Sequence, residues 1–182
     1  MLFRSTLERH AAPIIGVTAA TRGEGASTVA LNIALAAARN GPGVLLIDAV
    51  SSPLRGGLTA YLAPDADAGL IDVQNTGKPL SEILLREPET GLSFAPVAGK
   101  SQPPSRLSPE FVANLALDYR LVVVDLPPLS GSADVRALAR ALGGLVIVCE
   151  AGKTTSDQIV AGLERSGSAA DRLLGCVLNK VD

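Results

Sequence analysis

The residues between Gly16 and Ala30 carry the spacing with the clearest chemistry: Gly23, Gly25, Ser27 and Thr28 stand between an apolar run and a run of small helix formers. A glycine-rich turn in that setting lets successive backbone N–H groups converge on one anion, and the N-terminus of the following helix adds a favourable dipole. The phosphate-loop pattern G-x-x-x-x-G-K-[ST] is met at Gly25 and Ser27, while Ala20 stands at the first Gly and Ala26 at the Lys. The expectation is a nucleotide polyphosphate held by the N–H groups of Gly23, Glu24, Gly25, Ala26, Ser27 and Thr28, with the Ser27 hydroxyl on Mg²⁺. A charge-assisted bond to phosphate contributes roughly 1.5–3 kcal/mol, so the missing Lys predicts a grip about 10- to 100-fold weaker. Arg22 could replace part of that charge by reaching across the loop, or be a solvated surface residue. The bland alternative is a tight strand-to-helix turn whose glycines serve packing alone.

Two carboxylates close apolar runs: Asp48 ends Val44–Asp48 and Asp125 ends Leu121–Asp125. In an open α/β sheet, ligands bind at the carboxyl ends of the strands. There the two acids would hold Mg²⁺ through water and orient an attacking hydroxyl. A strand-end Asp serves equally well to cap the next helix. Asn179 follows the last apolar run, where its amide could read an adenine edge or simply form a turn. The single histidine, His10, lies outside any cluster, and no Ser-His-Asp or Cys-His spacing is present. Cys149 and Cys176 both fall in apolar runs and are expected to be a buried, reduced pair.

These groups need elements to position them. Strands are predicted over 13–18, 44–48, 121–125, 144–149 and 173–178, with weaker ones over 83–86 and 92–97. Helices are predicted over 27–39, 57–62, 70–75, 109–117 (capped by Ser108), 134–141 and 156–166, with an entry helix in 1–10. Asn40-Gly41-Pro42-Gly43 is a helix stop, and 99–109 reads as an exposed loop. Continuous apolar strands alternating with helices predict a mainly parallel, doubly wound α/β sheet covered on both faces, in one domain of 182 residues. A net charge of −2 gives no reason to expect nucleic acid, and 3% aromatics without Trp leave no base-stacking platform. No apolar stretch approaches the roughly 20 residues that span a bilayer.

Taken together, the motifs resemble those of the bacterial tyrosine kinases of capsule and exopolysaccharide synthesis, within the MinD/ParA-like class of P-loop proteins. The segment Thr21-Arg-Gly-Glu-Gly-Ala-Ser-Thr28 is similar to the family's x-P-G-E-G-K-S-T loop. Val44-Leu-Leu-Ile-Asp-Ala-Val50 resembles hydrophobics followed by D-x-D, and Leu121-Val-Val-Val-Asp-Leu-Pro-Pro128 with Asp134 resembles D-T-P-P…D. Gly152-Lys-Thr154 and Gly175-Cys-Val-Leu-Asn-Lys-Val-Asp182 match the closing A-G-K-T and G-V-V-L-N-x-V-D runs. Leu2-Phe-Arg4 looks like the tail of an oligomerisation helix, E-x-x-R-x-x-R.

The resemblance implies a three-layer P-loop sandwich binding ATP or ADP with Mg²⁺. Gly23, Gly25, Ser27 and Thr28 would touch phosphates and metal, Asp48 would assist a tyrosine hydroxyl, Asp125 would sit near the metal and Asn179 would touch adenine. It also implies a homo-oligomer and a membrane polysaccharide chain-length (co-polymerase) partner, with the domain at the inner face of the bacterial inner membrane. Ala26 in place of Lys, Val50 in place of the second acid, Leu126 in place of Thr and a missing tyrosine-rich tail point to a degenerate, pseudokinase-like copy with a regulatory role. The rival expectations are an active kinase that uses Arg22 and tyrosines on another chain, and a positioning ATPase that dimerises with ATP.

Overall fold

Runs of Val, Ile and Leu without polar interruption form strands only where both faces of a sheet are covered, because each side chain then meets a packed layer. The computed structural model bears this out over the residues it describes, 13–50, 57–97, 106–130 and 133–181. Leu45, Leu46 and Ile47 of β2 (Val44–Asp48) and Val122, Val123 and Val124 of β5 (Leu121–Asp125) are fully buried. With β1 (Ile14–Ala19), β3 (Leu85–Arg86), β4 (Ser93–Ala95), β6 (Gly144–Glu150) and β7 (Leu173–Asn179) they make one seven-stranded sheet, ordered β3-β4-β2-β5-β1-β6-β7. Every pairing is parallel except β3 with β4.

Helix α1 (Ala26–Arg39) buries Ala30, Ala34 and Ala38 against one face of the sheet. Small side chains repeated at i, i+4 let the helix axis lie close to the strands. On the other face, helices α3 (Leu70–Thr76), α4 (Pro109–Leu115), α5 (Ala133–Leu138) and α6 (Ser156–Ser166) supply Leu70, Ile71, Val112, Val135, Leu138, Ile159 and Leu163 to a second apolar cluster. The predicted three-layer α/β sandwich is therefore the observed one. Ser108 caps α4 by accepting from the Phe111 N–H at 3.1 Å, and Thr155 caps α6 in a reciprocal box with Gln158.

Several details differ from the sequence expectation. Of 83–86 only Leu85–Arg86 pairs as strand; Ile83 follows a 3₁₀ turn at Leu80–Glu82. Helix α5 stops at Leu138 rather than 141, its chain closing in short turns in which the Ala141 and Leu142 N–H groups reach Leu138 and Ala139 carbonyls. Leu107, placed in an exposed loop by its proline-rich neighbourhood, is 5% exposed and packs in the larger cluster. Cys149 is buried as expected but Cys176 is exposed. The reason is topological: β7 is an edge strand, so Leu174 and Leu178, 63% and 62% exposed, share its uncovered surface. The entry helix expected over 1–10 lies outside the described residues.

Candidate active site

The loop between β1 and α1 takes the shape its glycines allow. Gly23 and Gly25 have φ of 88° and 95°, left-handed values that cost an L side chain strain, and Gly25 is the residue from which α1 begins. No side chain caps α1. The Val29 N–H bonds the Gly25 carbonyl at 3.0 Å, so the N–H groups of Ala26, Ser27 and Thr28 lie in the first turn, where a helix has no internal partner for them. That is the donor set an anion meets at a helix N-terminus.

Glu24, a sequence candidate, turns its side chain into the loop rather than toward a ligand. It is 3% exposed, and its carboxylate accepts from the Thr21 N–H at 2.9 Å, the Thr21 hydroxyl at 3.0 Å and the Thr154 hydroxyl. Its contribution to the cup is its backbone. Arg22 and Thr28 are exposed, and Arg22 makes no hydrogen bond or ion pair with any described residue. Ala26 places a methyl where the phosphate loop carries its ammonium.

The two carboxylates are brought together by sheet register: Asp48 of β2 lies beside Asp125 of β5, both 0% exposed. Their surroundings then separate them. Asp48 Oδ1 accepts from the Val50 N–H at 2.9 Å and Oδ2 from the Thr59 N–H at 2.6 Å, in the first turn of α2 (Leu58–Leu62). Gly57 fits this tight approach, since a Cβ there would lie 2.9 Å from Asp48 Oδ2. Asp48 thus does the helix-capping work of a strand-end acid. Burial raises its pKa, opposed by these bonds from Thr59 and Val50. Neither oxygen of Asp125 has a hydrogen-bond partner among the described residues. Burial, and secondarily the Asp48 charge, push its pKa up to about 8. The Ser27 hydroxyl lies near enough to oppose that slightly without meeting hydrogen-bond geometry.

A buried, unsatisfied carboxyl beside a helix-start serine is the local chemistry that accommodates a magnesium ion or its water. Among the described residues no cluster of three or more His, Cys, Asp or Glu exists to bind a metal alone. The residues present therefore fit Mg²⁺ arriving with a phosphate, and Ser27 and Asp125 are the side chains that would hold it. Val50, in the place of a second acid, adds no donor. Asp134 is ion-paired to Arg106 at 2.7 Å.

The far wall comes from the ends of β6 and β7. Asn179 Nδ2 donates to the Glu24 carbonyl at 2.9 Å, and Lys180 Nζ donates to the Gly23 carbonyl at 2.8 Å while ion-pairing with Glu150 Oε2 at 2.9 Å. Glu150 also pairs with Lys153, and the two ammonium groups hold its carboxyl below the usual carboxylate range. Thr154 bridges the system, accepting from the Glu150 N–H at 2.8 Å and donating to Glu24. Sequence reasoning singled out Asn179 but missed Lys180, Thr154 and Thr21. A signal existed for the first two, since both stand in matched terminal motifs; their target, the loop 130 to 157 residues away, is visible only in three dimensions.

No family model matches the chain. Among curated proteins it is 31% identical over 180 residues to the tyrosine-protein kinase CpsD of Streptococcus agalactiae, covering 93% of the chain and 76% of CpsD. It is 30% identical to EpsB of Ralstonia solanacearum, a candidate tyrosine-protein kinase, and 32% identical to ExoP of Rhizobium meliloti, a succinoglycan biosynthesis transport protein; each match covers 93% of the chain. The chain spans only 23% and 22% of those two longer relatives. Of solved structures, the BceF tyrosine kinase domain superposes with a TM-score of 0.75 at 29% identity, covering 93% of this chain and 69% of that one. A chain of the MinC:MinD cell division protein complex of Aquifex aeolicus shares the fold with a TM-score of 0.67 at 21% identity, over 94% of this chain and 70% of that one.

Proposed function

Because the chain belongs to the bacterial tyrosine-protein kinase family, we propose that it is a nucleotide-binding, kinase-like domain of capsule or exopolysaccharide biosynthesis whose ATP grip is weakened and whose phosphotransfer is weak or lost. One observation supports the reading: the uncapped first turn of α1 brings Ser27 beside Asp125, which is buried and has no hydrogen-bond partner among the described residues, while Ala26 stands where the loop pattern carries Lys. The cup would hold the β-phosphate of ADP or ATP, and Ser27 and Asp125 would hold Mg²⁺. When bound, that ion supplies charge neutralisation on the phosphates and in-line alignment for transfer to a hydroxyl. Asp48, whose oxygens accept from Val50 and Thr59, is held as the cap of α2, and Val50 stands where a second acid would, which supports the degenerate reading. Electrostatic stabilisation dominates phosphoryl transfer, so loss of one cation lowers turnover more than affinity.

The proposed setting is the cytoplasmic side of a bacterial inner membrane, docked on a membrane polysaccharide co-polymerase and assembled with further copies of itself. The name of ExoP as a transport protein of succinoglycan biosynthesis supports the pathway. Among the described residues no helix is long and apolar enough to cross a membrane. The test is ATP-dependent tyrosine phosphorylation by the purified protein, alone and with a tyrosine-tailed partner. Little or no turnover alongside measurable Mg-ADP binding is expected; robust turnover abolished by Asp48→Asn would overturn the degenerate assignment.

An active enzyme is the second reading, favoured by one feature: Arg22 is exposed on the loop and pairs with no described residue, so its guanidinium is available to a phosphate. It requires Arg22→Ala to abolish Mg-ATP binding. Unchanged affinity would eliminate it.

A further inference from the structure

We propose that Asn179 and Lys180 are positioning residues for the phosphate cup, gripping two consecutive loop carbonyls from behind so that the N–H groups of Glu24 and Gly25 face the anion. This rests on the reading that the cup holds a nucleotide. In a trans peptide the C=O and the following N–H point in opposite directions, and no described peptide is cis. The Gly23 carbonyl shares its peptide with the Glu24 N–H, and the Glu24 carbonyl shares its peptide with the Gly25 N–H. Lys180 Nζ holds the first carbonyl at 2.8 Å and Asn179 Nδ2 the second at 2.9 Å. Both N–H groups are therefore turned away from the end of β7, and neither can swing without breaking a bond at the other end of its peptide.

Three features show the grip to be built into the fold. Lys180 has φ of 54°, the one left-handed residue other than glycine among those described. Such a conformation is unfavourable and persists where surrounding contacts enforce it. Glu150 fixes the ammonium from the other side, at 2.9 Å. Gly25 leaves no room for a side chain, because a Cβ there would lie 2.2 Å from Asn179 Nδ2.

The charge matters as well as the geometry. An ammonium on a carbonyl polarises that peptide, strengthening its N–H as a donor on the opposite side. Lys180 therefore places a positive charge one peptide removed from the bound phosphate. It supplies from the back of the loop part of what the Lys absent at Ala26 would supply from the front.

The test compares Lys180→Met, which keeps the aliphatic stem and removes the charge and donor, with Lys180→Arg in the full chain. Calorimetry with Mg-ADP, pyrophosphate and AMP separates a phosphate effect from a base effect. Lys180→Met is expected to bind ADP and pyrophosphate about tenfold more weakly, the size of one lost charge-assisted hydrogen bond, with AMP affinity unchanged. Lys180→Arg should restore most of the loss. Hydrogen exchange of the ligand-free protein gives a second readout: the Glu24 and Gly25 amides should exchange faster in Lys180→Met at an unchanged melting temperature. If Lys180→Met matches the parent in both measurements, or weakens AMP as much as ADP, the positioning role is overturned while the nucleotide reading stands. A parent protein that binds neither ADP nor pyrophosphate overturns both.

Discussion

Replacing Asp125 with Asn should make the ligand-free protein more stable at neutral and alkaline pH while removing its response to Mg²⁺. The β2–β5 register forces this carboxyl beside Asp48, both fully buried, with no hydrogen bond to it from any described residue. Burial and that neighbour raise its pKa from 3.8 to about 8. Between those values the folded chain retains a proton that the unfolded chain has released. The native state binds more protons, so stability falls as pH rises through the window, by at most about 1.4 kcal/mol per unit. Four units would give on the order of 5–6 kcal/mol, an upper bound that local relaxation and water entry reduce. The expectation is that Asp125→Asn gains about 2 kcal/mol at pH 8 and little at pH 4.5, or roughly 4–8 °C in melting temperature for a domain of this size.

Urea unfolding of both proteins at pH 4.5, 6 and 8 without Mg²⁺ measures the difference directly, and the subtraction removes every other titrating group. In the parent, Mg-ADP binding below pH 8 should also release close to one proton, read by calorimetry in buffers of different ionisation heat. The variant should release none. A stability difference that is flat with pH, or that favours the parent at pH 8, would refute the account of Asp125 as an uncompensated buried acid awaiting a cation.

Three further outcomes follow from the same geometry. Ala26→Lys should tighten Mg-ADP binding about 10- to 100-fold by calorimetry, because the first-turn N–H groups of α1 carry no side-chain cap and the added ammonium would supply the charge on the proposed phosphate. No gain would mean the cup is filled or turned away. Gly25→Ala should abolish measurable ADP binding and cost roughly 1–3 kcal/mol in urea unfolding, since its φ of 95° and the nearby Asn179 amide both oppose a Cβ; full binding would contradict the loop geometry. Cys176, exposed on β7, should react with a thiol reagent well before Cys149, whose thiol is pushed up to about 11 by burial and then by Cys176; equal rates would contradict the edge position of β7.

The architecture was legible in the sequence because its signals are local. Uninterrupted runs such as Val44–Asp48 and Leu121–Asp125 cannot face water on either side, and the small residues of Ala26–Arg39 suit only a close-packed helix. The left-handed turn at Gly23 and Gly25 was legible for the same reason, being set by glycines a few residues apart, as was the Ala26 that stands at the lysine position of the loop pattern. The terminal strand misled, since the run 173–178 reads as core by composition and only its place in the strand order puts Cys176 at an edge. Likewise Asp48 and Asp125 look equivalent as strand-end acids. The structure divides them, giving one to the backbone N–H groups of Val50 and Thr59 and leaving the other without a hydrogen bond from any described residue.

What the sequence determined by itself was the set of elements and the loop between β1 and α1, because hydrophobic periodicity and glycine dihedrals act over a few residues. What only the tertiary structure decided was the environment of each charge: which acid takes backbone hydrogen bonds, which lysine reaches the loop, and which cysteine meets solvent. Those outcomes depend on strand order and register, which bring Asp48 to Asp125 and Lys180 to Gly23 across long stretches of chain, and no local pattern encodes the distance between them.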